Sequence, residues 1–488
     1  MRYSKPFFLA GMFLIMLSSC SKEDIITDSK PSGTQNGNTT AQNPELEVEN
    51  FIYNGLNEIY LYKSSVPELA DNYFGNSNEK NDFLASSSSP ESLFKNLLAS
   101  VDRFSFITDD FNSLEERFQG TSGATGIKFG VGQISNTGNV FGFIRYILPG
   151  TSAANAGLKR GNIFTEIDGQ KLTPSNFERL INKNEFTINV GYVEDNQIIM
   201  TNEVVRLTDN SYTENPVFIT KTYELEGQKI GYLMYNSFTG NFDDELNAAF
   251  GEFKAEGITN LILDLRYNGG GSVESAKDLA SMITGQFEGE IFMKEQWNEK
   301  YQAFYEAQSP ESLINRFDNS IRTGEITNSL FLNEVYVLTS GSSASASELI
   351  INGLEPYINV KQIGDRTVGK FQASVTLYDS EDFGKTGASK NHTYAMQPLV
   401  FKSINANGKT DFVNGLDPDI KYVENLNDMG VLGETDEPLL NLAINDILGR
   451  TSQAKSKLQF LDYTAIGESG MNEFNFQRMY IDELPTLK

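Results

Sequence analysis

The chain has 488 residues, of which 39% are apolar, so it is long enough to form two to four domains of ordinary size. It carries 39 Lys and Arg against 65 Asp and Glu, which gives a formal net charge of −26. A chain this acidic repels a phosphate backbone, which argues against nucleic-acid binding. Its single cysteine, Cys20, excludes an intramolecular disulfide and a cysteine-based metal site.

The first twenty residues have the pattern of an export signal. Arg2 and Lys5 precede an apolar run over residues 7–17, which is too short to span a bilayer comfortably. Small residues then lead to Cys20, and this junction resembles a bacterial lipobox. The resemblance implies removal of residues 1–19 and acylation of Cys20, which anchors the protein in a lipid bilayer.

Residues 20–44 are rich in Ser, Thr, Gly, Asn and Gln and have few apolar side chains, which predicts a flexible stalk. Lys22-Glu23-Asp24 resembles the signal that sends some lipoproteins of the Bacteroides group to the outer leaflet of the outer membrane. A charged tether beside the membrane is the alternative. We therefore expect an exported protein, anchored in the outer membrane on its periplasmic side or at the cell surface.

Residues 45–119 are predicted to form a small helical module. Ser89 is a suitable N-cap and Pro90 fits the first turn of a helix. Apolar residues recur at helical spacing in two stretches: Val48, Phe51, Ile52, Leu56, Ile59 and Tyr60, and then Leu93, Leu97, Leu98 and Val101.

Strand and glycine patterns replace the helical pattern in residues 120–212. Small residues predict a short helix over 152–156, which Gly157 ends, and residues 163–167 predict a strand closed by a turn at Asp168-Gly169. The run from Leu148 to Gly169 resembles a PDZ domain. A generic small β-rich domain is the alternative, and a phosphate loop fails because the GxxxxGK[ST] spacing is absent.

The PDZ resemblance implies that an incoming peptide pairs with a sheet edge. It also implies that a loop formed by Gly126, Ile127, Lys128 and Phe129 holds the terminal carboxylate of that peptide. Recognition of the C-terminal tails of polypeptide substrates follows as an expectation.

Residues 213–430 are predicted to form an α/β core. A strand over 229–235, an amphipathic helix over 243–253 and a buried strand over 261–266 form a β-α-β unit, which implies a parallel pair. A glycine turn over 268–271 follows, directly before a predicted helix over 273–283. Backbone N–H groups at such a helix start stabilise negative charge, although a plain tight turn is the alternative. The GxGxxG pattern of a dinucleotide site is absent.

A second candidate element is a serine-rich run. A buried strand over 335–339 leads into residues 340–349, where small residues mark a strand-to-helix junction. A nucleophile at such a junction is accessible and faces the positive end of a helix dipole. A serine patch that only caps a helix is the alternative.

Three motifs in order resemble the active-site motifs of carboxy-terminal processing (tail-specific) peptidases. They are Asp264 to Gly270, Ser343-Ala344-Ser345-Ala346-Ser347-Glu348, and Thr367-Val368-Gly369-Lys370. The resemblance covers residues 120–422. It implies a mixed α/β peptidase core of the ClpP/crotonase-like type, with Ser345 as nucleophile, Lys370 as its general base, and no cofactor.

The same resemblance implies that backbone N–H groups of Ala346 and of Gly269 or Gly270 hold the oxyanion. Relatives often carry a glutamine four residues beyond the lysine, where this chain has Ser374. Gln372, two residues beyond the lysine, is therefore a candidate auxiliary residue.

The sole histidine, His392, enters a predicted strand among polar residues, and we interpret it as structural. A lysine in an apolar pocket loses its charge and accepts a serine proton, so the expected chemistry needs neither His392 nor a metal. The sequence predicts a serine endopeptidase with a Ser-Lys dyad, acting on exported proteins. Alternatives are a non-catalytic peptide-binding surface lipoprotein with a degenerate core, and a hydrolase of another ester or amide. For residues 431–488 we expect a helix over 439–448 and assign no role.

Overall fold

The structure, a computed structural model, describes residues 44–450 and 461–484. The predicted signal peptide, the lipidation site Cys20, and the predicted stalk except for its last residue lie outside the described residues. Within the described ranges, no helix combines the length and the apolar character that a bilayer crossing requires.

The N-terminal part of the described chain is mainly helical, as predicted. Its elements are α1 (Glu47–Ile59), α2 (Ser77–Ala85), α3 (Pro90–Asn96), β1 (Phe106–Thr108) and α4 (Phe111–Phe118). Short 3-10 helices lie at Pro44–Leu46, Lys63–Ser65 and Pro67–Leu69.

Helix α3 begins as predicted. The hydroxyl of Ser89 accepts the Ser92 N–H at 3.2 Å, and Pro90 occupies the first turn. The prediction that the helical pattern extends to Val101 was wrong, because α3 ends at Asn96 and Val101 is 63% exposed.

A small β-rich part follows. Its elements are β2 (Thr121–Ala124), β3 (Ile127–Ile134), β4 (Val140–Ile147), α5 (Ser152–Asn155), β5 (Ile163–Phe164), β6 (Glu166–Ile167), β7 (Gln170–Lys171), α6 (Phe177–Ile181), β8 (Glu185–Glu194), β9 (Gln197–Thr208) and β10 (Asn210–Thr213). Asp168 and Gly169 have φ values of 51° and 69°, which a two-residue hairpin turn of the primed type requires. This confirms the predicted turn, although the strand before it is divided into β5 and β6.

The remaining residues up to 450 form the larger part of the fold. Its elements are β11 (Val217–Leu225), β12 (Gln228–Tyr235), α7 (Asp243–Glu256), β13 (Asn260–Asp264), β14 (Gly271–Ser272), α8 (Val273–Thr284), β15 (Ile291–Trp297), α9 (Glu299–Gln308), β16 (Ile314–Arg316), β17 (Glu334–Thr339), α10 (Ala346–Leu354), β18 (Asn359–Gly364), β19 (Gln372–Val375), β20 (Leu377–Tyr378), β21 (Ala395–Gln397), β22 (Leu399–Ile404), β23 (Ile420–Lys421) and α11 (Pro438–Ile447). Further 3-10 helices lie at Gly240–Phe242 and Pro310–Leu313. Helix α11 confirms the helix predicted over 439–448.

The C-terminal segment, defined here as residues 461–484, contains β24 (Tyr463–Glu468) and β25 (Met479–Ile481). These strands join two different sheets. β24 is the edge strand of the sheet ordered β24-β3-β4-β5-β8-β6-β7, in which β9 also pairs with β8. β25 lies inside the sheet ordered β14-β25-β19-β22-β15-β16.

The core sheet has the order β11-β12-β13-β17-β18-β23. β11 is antiparallel to β12 and the other neighbours are parallel, which confirms the predicted β-α-β unit with α7 as its crossover. Strands β13 and β17 are buried on both faces, as expected for parallel strands covered by helices. Their carboxyl ends lead into the glycine turn and the serine-rich run. Ligand sites in α/β folds form at this edge of the sheet.

Candidate active site

Ser345 lies at the turn between β17 and α10, where it is the N-cap residue of the helix. Its φ is 66°, a left-handed conformation that costs free energy for a residue with a side chain. The side chain is fully buried, and Oγ has no hydrogen-bond partner among the described residues. A strained turn that presents a serine at a helix start is typical of nucleophile turns.

The other serines of the run hold this turn in place. The hydroxyl of Ser343 donates to the Leu265 carbonyl at 2.8 Å, and that of Ser347 donates to the Asn268 carbonyl at 2.9 Å. The Ser340 hydroxyl donates to the carbonyl of Arg266. These bonds tie the serine-rich run to the loop after β13, so the run is more than a helix-capping patch.

The glycine turn lies directly against Ser345. Gly270 has a φ of 106°, and a Cβ on it would lie 2.6 Å from the Cβ of Ser345. Asn268 shapes the turn by accepting the Gly270 N–H at 2.8 Å and by donating to the Tyr235 carbonyl at 2.8 Å. The close approach to the serine therefore requires glycine.

Lys370 lies between β18 and β19 and is fully buried. Its Nζ is 5.1 Å from the ring centroid of Phe104 and has no hydrogen-bond partner among the described residues. Burial, together with the positive charge of Arg478, lowers the pKa of Lys370 well below its ordinary value. The neutral amine, which is the form that accepts a proton, is favoured here.

The N-terminal helical part forms one wall of this pocket. Phe104 supplies the ring beside Lys370 Nζ. A guanidinium nitrogen of Arg103 donates to the carbonyl of Gly369 at 3.3 Å. The helical part therefore helps to exclude water from the lysine.

Glu348 connects the serine and the lysine, a role that sequence reasoning missed. One carboxylate oxygen accepts the N–H of Ser345 at 2.7 Å and the N–H of Lys370 at 2.8 Å. The other accepts the Gly369 N–H at 2.7 Å and the Thr367 hydroxyl at 2.6 Å. The Ser345 and Lys370 amide nitrogens thus share one acceptor atom. The Ser-x-x-Glu spacing of a capping box was the available signal.

Ser345 and Lys370 are brought to one buried place, although Oγ and Nζ are not hydrogen bonded to each other in this structure. Burial raises the pKa of Glu348 in spite of its four hydrogen bonds. The arrangement contains an unbonded hydroxyl, an unbonded amine of lowered pKa, and a carboxylate that fixes the backbone of both.

The predicted oxyanion donors differ in their surroundings. The amide of Ala346 is the first of helix α10, where N–H groups have no partner within the helix. The Gly270 N–H already donates to the Asn268 side chain. A Cβ on Gly269 would lie 3.2 Å from the backbone nitrogen of Gln477, so the C-terminal segment approaches this glycine closely.

Gln372 is the first residue of β19 and is almost fully buried. Its side-chain nitrogen donates to the Tyr62 hydroxyl at 2.7 Å, and its side-chain oxygen has no partner among the described residues. Ser374 is buried, and its hydroxyl also lacks a partner within the described ranges.

A buried ion network anchors the loop after β13. The Arg266 side chain is fully buried and binds Glu437 through two hydrogen bonds of 2.7 and 3.0 Å. It also donates to Asp264 at 3.0 Å and to Glu424 at 3.1 Å. Burial alone raises the pKa of Glu424, but Arg160 and Arg266 outweigh this and lower it to about 2. Full pairing of this kind is what a buried charge requires.

The predicted carboxylate loop has a different local structure. Ile127, Lys128 and Phe129 are the first residues of strand β3, and Gly126 precedes the strand. Phe129 donates its N–H to the Ser469 hydroxyl at 3.0 Å and accepts the Ser469 N–H at 2.8 Å. The predicted peptide-binding backbone is thus engaged by the C-terminal segment of the same chain.

His392 takes part in a separate cluster. Its Nε2 lies 3.0 Å from Asp379 Oδ2, and its Nδ1 accepts the Tyr394 N–H at 3.1 Å. With Glu47 it completes a group whose ligand atoms all lie within 4.8 Å of one another. These contacts give His392 a local structural partner and no hydrogen bond to Ser345.

A second acidic group consists of Glu274, Asp278 and Asp318. Lys277 pairs with Glu274 and with Asp318, each at 2.6 Å. Burial and the neighbouring Glu274 raise the pKa of Asp278 to about 8. The Lys277 ammonium thus lies among all three carboxylates and supplies a positive charge to the group.

Comparison with known proteins assigns the chain to a family. The model described as Peptidase family S41 matches residues 229–422, which contain the glycine turn, Ser345 and Lys370. The model described as Peptidase S41 N-terminal domain matches residues 47–106, which contain Phe104.

Two curated relatives carry names that agree with these matches. A carboxyl-terminal-processing protease of Picosynechococcus sp. is 22% identical over 295 residues, which are 55% of this chain and 64% of the relative. A chloroplastic C-terminal processing peptidase of Tetradesmus obliquus is 25% identical over 255 residues, 49% of this chain and 50% of the relative. This chain therefore matches less than two thirds of the length of either relative.

A solved structure gives the same result for the fold. The crystal structure of a Bacteroides fragilis protein assigned to the S41 proteases has a TM-score of 0.64 and 24% identity, and covers 82% of this chain and 97% of that one. The mixed α/β fold with a helical N-terminal part is therefore that of the S41 peptidases. The chain belongs to peptidase family S41.

Proposed function

We propose that this protein is a serine peptidase in which Ser345 and Lys370 form the catalytic dyad. The observation that carries the proposal is the shared acceptor of the two residues: one oxygen of Glu348 binds both of their backbone amides. The Ser345 hydroxyl and the Lys370 amine are both buried, and neither has another hydrogen-bond partner among the described residues. Unpaired buried polar groups are rare and concentrate at functional sites.

The chemistry follows from these groups. Neutral Lys370 accepts the proton of the Ser345 hydroxyl while Oγ attacks the carbonyl carbon of the scissile peptide bond. The negative oxygen of the tetrahedral intermediate lies toward the start of α10 and the glycine turn, where the Ala346 and Gly269 amides are the candidate donors. The Gly270 N–H can donate to the oxyanion only after its hydrogen bond to the Asn268 side chain breaks.

Collapse of the intermediate breaks the C–N bond, and Lys370 returns its proton to the leaving amine. Water then attacks the acyl-enzyme and gives a proton to Lys370. The ester C–O bond breaks, Lys370 passes that proton to Ser345 Oγ, and the new carboxyl end is released. Each proton is accounted for by the lysine, so the cycle needs no metal or cofactor. The side-chain nitrogen of Gln372 donates to the Tyr62 hydroxyl, and Gln372 is therefore a candidate for positioning the side chains beside Lys370.

The proposed substrates are exported polypeptides that are recognised through their C-terminal tails. Residues 120–212 are the proposed PDZ domain, with residues 126–129 as the peptide-binding segment. The edge of β3 pairs with β24 in this structure, and a substrate peptide that takes the place of β24 would pair with the same edge.

The proposed location is the outer membrane, with an anchor on Cys20. The motif at residues 17–20 supports acylation of this cysteine. Metabolic labelling with an alkyne fatty acid tests it: label is expected on the full chain and not on Cys20→Ala. Equal labelling of both chains would exclude this anchor.

The enzymatic proposal is tested by hydrolysis of an unfolded protein, and of versions that differ only in their last residues. We expect wild type to cleave, Ser345→Ala to lose on the order of 10⁴-fold or more in rate, and Lys370→Ala to lose about 10²–10⁴-fold. Lys254→Ala, which changes an exposed lysine of α7, is the control. A folded wild type that binds peptides without cleaving them would favour a non-catalytic peptide-binding lipoprotein.

A further inference from the structure

The proposed dyad is covered by the chain itself. Ser345 and Lys370 have no exposed surface, although the chemistry requires a substrate carbonyl to reach Oγ. A Cβ on Gly270 would lie 2.6 Å both from the Ser345 Cβ and from the carbonyl oxygen of Arg478. The backbone of the C-terminal segment therefore lies beside the nucleophile, where a substrate backbone has to lie.

The same segment first follows the edge of the small sheet. β24 pairs antiparallel with β3, from Tyr463 opposite Ile134 to Glu468 opposite Gly130. A Cβ on Gly467 would lie 2.8 Å from the ring of Phe177 in α6, so the segment runs between β3 and α6. It occupies an extended groove with a strand edge on one side and an apolar helix on the other.

The segment then reaches the core at its nucleophile turn. The Glu468 carboxylate accepts the Ser342 hydroxyl at 2.7 Å and pairs with Arg145 of β4. Ser342 lies in the serine-rich run, three residues before Ser345. One carboxylate of the segment thus bridges the small sheet and the nucleophile turn.

Beyond this point the segment enters the active-site cleft as a strand. Met479 and Tyr480 of β25 pair in parallel with Gly271 and Ser272 of β14, directly after the glycine turn. On the other side, Tyr480 pairs with Ser374 of β19, four residues after Lys370. β25 therefore joins the two walls that carry the glycine turn and the lysine.

The residue just before β25 fills a side-chain subsite. The guanidinium carbon of Arg478 lies 4.5 Å from the ring centroid of Phe106 in β1, and its Nε donates to the carbonyl of Phe474, a residue of the same C-terminal segment, at 3.1 Å. Phe474 in turn stacks on Phe106. One terminal nitrogen, Nη1, is buried and has no partner among the described residues. A cation over an aromatic face is a favourable contact.

A carboxylate near this subsite attracts a basic side chain. Burial lowers the pKa of Arg478 to about 10, and Asp102, which is held by the amides of Phe104 and Ser105, opposes this by attracting the guanidinium. The positive charge of Arg478 also contributes to the low pKa of Lys370. A basic side chain in the subsite therefore promotes the neutral form of the proposed base.

The family model ends at residue 422, so the C-terminal segment lies outside the residues that it matches. We propose that residues 461–484 occupy the substrate path as an internal pseudosubstrate, and that the subsite beside Ser345 accepts a basic side chain, which Arg478 fills. This proposal rests on the proposed peptidase function and names its substrate class: extended polypeptides with arginine or lysine at the position of Arg478. Such substrates compete with the chain's own segment.

The first experiment measures binding and needs no hydrolysis. Hydrogen exchange of the full-length Ser345→Ala chain is followed with an excess of a synthetic peptide of sequence 461–484, or of its counterpart with alanine in place of Arg478. The arginine peptide is expected to raise the exchange rates of β24 and β25 amides about tenfold, with much less effect from the alanine peptide. Unchanged exchange, or an equal change with both peptides, overturns the proposal.

The second experiment changes the occupant. Full-length Arg478→Ala is expected to bind the arginine peptide about tenfold more tightly than wild type, and Arg478→Lys to behave like wild type. Arg450→Ala, which removes an arginine paired on the surface with Glu226, is the matched control. If Arg478→Ala is folded and its peptide affinity equals that of the control, the segment is a fixed part of the fold and the proposal fails.

The third experiment separates this proposal from the proposed function. The Arg478 carbonyl lies beside Ser345, so the position of Arg478 corresponds to the residue before the scissile bond. Wild type is given peptides that differ only in that residue. Cleavage about tenfold or more faster after arginine or lysine than after leucine or glutamate supports the subsite. Cleavage without that preference overturns the subsite and leaves the peptidase function standing. Failure to cleave any peptide overturns the peptidase function, while the exchange experiment still decides where the segment binds.

Discussion

Glu348 is the residue whose replacement tests the proposed site most sharply, because it contacts the backbone of both members of the dyad. Its two oxygens accept four hydrogen bonds of 2.6 to 2.8 Å, from the amides of Ser345, Gly369 and Lys370 and from the Thr367 hydroxyl. Replacement by glutamine preserves the shape and converts one acceptor oxygen into a donor.

The cost can be worked out from these contacts. With the glutamine oxygen toward Ser345 and Lys370, the Thr367 hydroxyl, which already accepts the Leu416 N–H, can turn to accept from the new amide nitrogen, and the Gly369 N–H is the backbone donor that loses its partner. One unsatisfied buried donor costs about 1–3 kcal/mol. Loss of the buried charge offsets part of this cost, because burial raises the pKa of Glu348. We expect Glu348→Gln to be destabilised by about 1–2 kcal/mol and its kcat/KM to fall about tenfold.

Glu348→Ala removes all four acceptor contacts. Its expected cost is at least about 4 kcal/mol, from four donors at about 1 kcal/mol or more each. Its kcat/KM should fall at least about a hundredfold, since small misplacements of reacting groups have effects of that size. Thermal unfolding and hydrolysis of an unfolded protein measure both. Glu355→Gln, at the end of the same helix and paired with Lys409, is the control. Stability and activity of both Glu348 variants equal to the control would refute this role.

Three further outcomes are expected. Gly270→Ala should lose about 1–3 kcal/mol in unfolding free energy and most hydrolytic activity, because its φ is 106° and the new Cβ meets Ser345. The lowered pKa of Glu424, about 2, gives stability that is full above its ordinary pKa and is lost as pH falls toward 2. Glu424→Gln should therefore lack on the order of 3 kcal/mol of the pH-dependent unfolding free energy of the wild type, which acid unfolding of the two chains measures. Hydrolysis should rise with pH as Lys370 loses its proton and level off below the ordinary lysine pKa.

Controls separate specific effects from general ones. Gly257 has a φ of 68°, and no atom lies within 4 Å of the position that a Cβ would take there, so Gly257→Ala measures backbone strain alone. Asp417→Asn, which changes an exposed carboxylate paired with Arg366, is the control for Glu424→Gln. Equal losses in Gly257→Ala and Gly270→Ala, an unchanged acid transition in Glu424→Gln, or a flat pH-rate profile would each contradict the corresponding expectation.

Much of the core could be predicted because local patterns agree with the fold. Buried apolar strands, the amphipathic α7 and the glycine turn are encoded within short stretches, and the predicted β-α-β unit is present. Ser345 and Lys370 could be named from two motifs 25 residues apart. The structure brings them to one buried place through strands β17 and β18, which are parallel neighbours.

The rest depends on contacts between distant parts of the chain. Phe104 reaches Lys370 from the helical part, a pairing that no local pattern indicates. β24 and β25 are short and form because an edge of β3 and a gap between β14 and β19 are available. Residues 461–484 have no clear apolar periodicity, so sequence reasoning assigned them no role.

The central claim is that Ser345 is a nucleophile activated by Lys370. The most direct test treats wild type and Lys370→Ala with a fluorophosphonate over a range of pH and maps the adduct by mass spectrometry. We predict one adduct on Ser345, formed at a rate that rises with pH through a pKa below the ordinary lysine value, and a rate at least about a hundredfold lower in Lys370→Ala. An adduct on another residue, no adduct at all, or equal rates in both chains would contradict the account.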